Sequence, residues 1–142
     1  MASPSPSPQQ QAAVSPLLSR IAAQPQIDFE LDFFTALLER RPDYLEVLKA
    51  HAKNLALARR HQEGLQCDLR ITRLRPHDAL ARYNLACSLT LNRHYDQAII
   101  ELRRAVELGY RDFAFMRQDR DLDPIRRDPR FRALMREYER KR

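Results

Sequence analysis

Three stretches that read as breaks between helices stand at equal intervals: ERRPDY around Pro42, RLRPHD around Pro76 and ELGYRD around Tyr110, with centres 34 residues apart. A fixed period of this length marks a chain built from one supersecondary unit used repeatedly, each copy burying its apolar face on the next. Sliding the sequence along itself by 34 positions pairs Leu31 with Leu65 and Ile99, Phe34 with Asp68 and Leu102, and Leu37 with Ile71 and Ala105. It also pairs Ala52 with Ala86, Leu55 with Leu89, and Asp78 with Asp112. Most of these positions stay apolar, which chance rarely produces.

Between the breaks the apolar spacing is helical. Leu45, Leu48, Ala52 and Leu55 recur at i, i+3, i+7 and i+10, and Tyr95, Ala98, Ile99, Leu102, Ala105 and Val106 trace one face. Cys67, Ile71 and Leu74 form a stripe beside Leu65 and Leu69, and Gly109 stands where a C-terminal cap follows Leu108. Two glycines and no tryptophan in 142 residues argue against a sheet or a loop-rich fold, and the length suits one domain. The expected fold is all-α, a stack of αα-hairpins.

In these features the sequence resembles the tetratricopeptide repeat family. If Ala79 opens a unit, the family's small residue at the eighth place is Ala86, its alanine at the twentieth Ala98, its large residue at the twenty-fourth Leu102, and its alanine at the twenty-seventh Ala105. The preceding unit keeps Ala52, Leu55 and the junction Pro76, as Pro42 marks the junction before it, but carries Gly64, Asp68 and Ile71 at those last three places. YNLACS, AVELGYRDF and DRDLDPIRRDPRF narrow the likeness to a group of small bacterial repeat proteins. It implies a right-handed superhelix and a non-enzymatic role in protein–protein interaction, as an adaptor or scaffold.

The expected organisation is a disordered Pro/Ser/Gln-rich tail over 1–14 and a repeat domain over 15–127, followed by a capping helix with a basic end over 128–142. Within the repeat domain, 15–44 is degenerate, 45–78 and 79–112 are full units, and short helices follow. The degenerate unit reads as a helix at about Ser15 to Gln24, with Leu17, Leu18, Ile21 and Ala22 on its apolar face, and a second from Ile27 to Pro42. Asp123-Pro124 and Asp128-Pro129 each place an acidic cap before a proline that opens a helix, the first short and running from about Pro124 to Arg127. Phe131, Leu134, Met135 and Tyr138 form the apolar face of the last helix. The start lacks the cationic and apolar blocks of a secretory leader, and a cytoplasmic location is expected.

Catalytic chemistry finds little support in the residue pattern. YNLACSLTLNRHYDQA holds both a cysteine and a histidine, but Cys87 and His94 lie seven apart, roughly 10 Å along a continuous helix, too far for a nucleophile and its base. The small residues Ala86 and Ala98 explain the window as a place where helices approach closely. DRDLD opens like a calcium loop, yet Pro124 stands where its glycine belongs and Arg130 where its bidentate glutamate belongs. The two cysteines and four histidines show no ligand spacing, and no phosphate-cradling loop is present; neither metal nor cofactor is expected.

Binding is the better expectation. The resemblance implies a concave groove lined by the first helix of each unit, where Lys49 and Lys53 share a face and Tyr83, Asn84 and Cys87 occupy comparable positions. Some members of the family grip a terminal carboxylate there: Lys49 matches the first basic site and Asn84 the neighbouring asparagine. Lys53 replaces a second asparagine, and Ala114 and Gln118 replace a basic pair, so a weaker preference for a carboxylate or an acidic peptide is implied. The alternative is an acidic partner or nucleic acid held by the last helix, where Arg130, Arg132, Arg136, Arg140, Lys141 and Arg142 outnumber Glu137 and Glu139. The interrupting glutamates and the lack of an aromatic platform make nucleic acid the lesser expectation.

Overall fold

A computed structural model describes the backbone of residues 16–140 and the side chains of residues 26–140. Every regular element among them is a helix: α1 (Pro16–Arg40), α2 (Leu45–Leu57), α3 (His61–Leu74), α4 (Ala79–Leu91), α5 (Tyr95–Glu107), α6 (Phe113–Gln118), a 3-10 helix (Arg120–Ile125) and α7 (Pro129–Glu139). The tail expected over 1–14, Ser15 at the expected helix start, Lys141 and Arg142 lie outside the described residues, as do the side chains of Leu17, Leu18, Ile21 and Ala22. No described helix is long and apolar enough to cross a membrane.

Element starts keep the period of the sequence. α2, α4 and α6 begin at Leu45, Ala79 and Phe113, and α3, α5 and α7 at His61, Tyr95 and Pro129, so each series advances by 34 residues. The stepping therefore extends through the region expected to hold only short closing helices and a cap.

Two expectations about boundaries are corrected. The break between a helix ending at about Gln24 and another starting at Ile27 is absent, because α1 runs unbroken past Pro25. An interior proline costs about 3 kcal/mol, but the residues from Arg20 to Ile27 include no glycine, asparagine, aspartate or serine that could stabilise a reversal. Second, Asp123 caps nothing. The short helix starts earlier, at Arg120, with Pro124 inside it, and its cap is Asp119, whose carboxylate accepts from the Asp121 amide at 3.0 Å. Asp123 instead holds the Arg126 guanidinium at 3.1 Å.

Asp128 and Gly109 act as expected, and Asp78 and Asp112 add two caps of the same kind. Asp78, Asp112 and Asp128 accept backbone N–H bonds from Ala81 (3.0 Å), Phe115 (3.1 Å) and Arg130 (2.9 Å) at the starts of α4, α6 and α7. Gly109, at φ +116°, ends α5: the Tyr110 amide reaches the Ala105 carbonyl at 3.0 Å and the Gly109 amide reaches Val106 at 3.1 Å. The same paired bonds end α2 and α4, yet the left-handed residues there are Arg59 (φ 59°) and Arg93 (φ 64°). A non-glycine residue in that region costs roughly 1–2 kcal/mol, partly offset by the greater unfolded-state entropy of glycine. Arg59→Gly and Arg93→Gly should each raise stability by about 0.5–1 kcal/mol in urea unfolding; a loss in either variant would contradict this assignment of strain.

The core forms two adjoining clusters. Leu31 and Leu38 of α1 pack with Leu48 and Leu55 of α2 and with Cys67 and Ile71 of α3. The second cluster joins α4 and α5 to the C-terminal helices through Ala86, Ala98, Leu102, Phe113, Leu122 and Leu134. Ala86 and Ala98 are fully buried, as their small size at a helix contact requires. α7 covers α5 with Phe131, Leu134 and Met135, and Glu137 accepts from Arg103 at 3.2 Å. Buried Glu101 ties α4 to α5, holding Arg82 at 3.1 Å and Arg104 at 2.8 Å.

Candidate functional site

A cleft of about 500 Å³ opens among α2, α3 and α4. Each helix contributes a pair of residues four apart, the spacing that places them on one face: Lys49 and Lys53 from α2, Gly64 and Asp68 from α3, Asn84 and Ser88 from α4. Ala52, Ile71 and Ala81 supply an apolar lining. Lys49, Lys53 and Asn84 are exposed at its rim. Lys49 meets only Glu46, at 4.0 Å, and Lys53 makes no ion pair among the described residues.

Asp68 was not among the expected site residues. It is only 9% exposed and lines the cleft, at the position where the neighbouring units of the register place Phe34 and Leu102. The Ser88 hydroxyl donates to its Oδ2 across the α3–α4 contact. No cation among the described residues forms an ion pair with it, and burial pushes its carboxyl up to about 6 against the lowering effect of the Ser88 bond. The sequence carried one signal of this: a carboxylate in an otherwise apolar register, four residues after the glycine that replaces the repeat's alanine.

The structure gathers Lys49, Lys53, Asn84 and Cys87 around the cleft but removes Tyr83 from it. This corrects the groove assignment of Tyr83. Its side chain is 2% exposed, stacks on Tyr110 with ring centroids 4.2 Å apart, and donates its hydroxyl to Asp119 Oδ2 at 2.6 Å. Adjacent residues on a helix point about 100° apart, so Tyr83 faces the C-terminal helices while Asn84 faces the cleft.

Cys87 touches the cleft lining, but its Sγ lies 3.6 Å from Asp119 Oδ2 as a thiol donor. Burial, then the charges of Asp119 and Asp121, push that thiol far up, the opposite of an activated nucleophile. Burial likewise pushes Cys67 up to about 11. Possible ligand atoms of Cys87, Asp119 and Asp121 lie within 4.8 Å of one another, a juxtaposition of α4 with the 3-10 helix that linear spacing does not reveal. Hydrogen bonds explain this cluster: Asp119 accepts from Tyr83, Cys87 and the Asp121 amide, joining the 3-10 helix to α4.

Comparison of the chain with protein-family models and with curated proteins found no match.

Proposed function

We propose that the chain is a tetratricopeptide-type adaptor that holds a segment of another protein in the cleft among α2, α3 and α4. The observation that carries this reading is the meeting of Lys49, Lys53 and Asn84 at the rim of one cleft. The 34-residue stepping of helix starts supports the repeat assignment, with the superhelical groove the resemblance implies. A role without catalysis is supported by the buried, donating thiol of Cys87. The exposed lysines favour acidic groups on the bound segment, and the cytoplasm is the proposed setting.

The last helix is the weaker candidate for a partner surface. Arg130 is engaged by Asp96 at 2.8 Å and Asp128 at 2.9 Å, while Glu137 and Glu139 bind Arg103 and Arg117 of the body. Partner capture from cell extract distinguishes the surfaces. Lys49→Glu combined with Lys53→Glu should abolish capture, whereas neutralising Arg136, Arg140, Lys141 and Arg142 should spare it. The reverse outcome, accompanied by steeply salt-dependent nucleic-acid binding, would favour the basic helix.

A further inference from the structure

We propose that Asp68 receives a basic side chain of the segment held in the cleft, so that the segment carries a lysine or arginine among the acidic residues taken by Lys49 and Lys53. This rests on the cleft reading above and names the chemistry of its occupant. The acid is in the wall of the cleft, nearly covered, and among the described residues its side chain is hydrogen-bonded to Ser88 alone. A carboxylate has about four acceptor positions, and a cation entering the cleft would meet the unused ones.

Packing does not explain the choice of residue. The same register holds Phe34 and Leu102 in the adjacent units, and an apolar side chain joins two helices without the cost of desolvating a charge. Gly64 is a second departure on the same face, one turn before Asp68. Its backbone is helical, and a Cβ there would come no nearer than 3.9 Å to Leu55 Cβ, an ordinary contact. Neither conformation nor crowding therefore requires glycine, although it weakens a helix by about 1 kcal/mol relative to alanine. Its missing side chain leaves the cleft open beside Asp68. The space and the uncompensated acid together fit an inserted cationic side chain, while the exposed lysines outside fit its acidic neighbours.

Fluorescence anisotropy with three labelled peptides tests the proposal: repeats of Glu-Ala-Lys-Ala, of Glu-Ala-Gln-Ala and of Gln-Ala-Lys-Ala. The wild type should bind the first most tightly. Asp68→Asn should weaken that binding by roughly tenfold to a hundredfold, the range for a hydrogen bond between charged groups, and leave the second peptide unchanged. Ser88→Ala should keep the preference for the lysine-bearing peptide, since the carboxylate remains. Equal binding of the first peptide by wild type and Asp68→Asn would overturn the role of Asp68 alone. It would also be overturned if Ser88→Ala erased the preference as Asp68→Asn does, because Asp68 would then be a strut between helices. Failure of all three peptides to bind, or binding indifferent to Lys49→Glu with Lys53→Glu, would remove the cleft reading and this inference with it. Circular dichroism and melting curves on each variant establish that the fold is kept.

Discussion

Asp119→Ala should lower the stability of the protein by about 2–4 kcal/mol in urea unfolding. The carboxylate accepts from the Tyr83 hydroxyl at 2.6 Å, the Cys87 thiol at 3.6 Å and the Asp121 amide at 3.0 Å. Its removal strands a phenol that is 2% exposed and withdraws the cap of the 3-10 helix. An unsatisfied buried donor costs about 1–3 kcal/mol and a lost cap about 1 kcal/mol. Tyr83→Phe should cost less, because it removes the donor with its acceptor still anchored elsewhere. The double variant should then lose less than the sum of the singles, as expected for groups in contact. Strict additivity, or a loss below about 1 kcal/mol for Asp119→Ala, would show that this network does not hold the C-terminal helices to α4.

Asp68→Asn should change stability in the opposite direction, raising it by about 1–2 kcal/mol at pH 7. The carboxyl titrates at about 6 in the folded chain against 3.8 for an ordinary aspartate, so between those values the folded state holds more protons than the unfolded state. Stability from this group is therefore present below about pH 4 and is lost as pH rises through 6, by a total on the order of 3 kcal/mol. Asparagine removes the charge and retains hydrogen bonding to Ser88 while leaving some amide capacity unused, so it recovers part of that loss. The gain of the variant should be largest near neutral pH and close towards pH 4. A gain independent of pH would mean that charge burial is not its source. A stabilising change at a cleft residue is also what a binding site held at a cost to folding produces.

Features governed by neighbours in the chain were legible before the fold was known. Helix type follows from apolar spacing, the cap at Asp128 from an aspartate set before a proline that opens a helix, and the end of α5 from the left-handed freedom of Gly109. The misreadings have equally local causes. Pro25 has no turn-forming neighbours and stays within α1. At the C-terminal end, Asp123 was read as a cap because it precedes a proline, whereas Asp119 holds that place with Pro124 inside the helix.

The site was harder to read because α4 is enclosed on several sides. Ala81, Tyr83, Leu85, Ala86, Cys87, Leu89 and Thr90 are all buried, so its apolar residues run around much of the helix and no single stripe identifies the groove. Asn84 and Tyr83 were thus equally plausible at the cleft. Only contact with Tyr110 and Asp119, 27 and 36 residues away, assigns Tyr83 to the interior.

By itself the sequence determined the helical class, the 34-residue stepping and several helix ends, since these depend on periodicity and short-range hydrogen bonds. Tertiary structure alone decided which face of α4 meets the cleft, that Ser88 would bond Asp68, and that Asp119 would bind Tyr83 and Cys87. Those contacts join residues on different helices, and the energy of burying a carboxylate or a phenol depends on what packing places beside it.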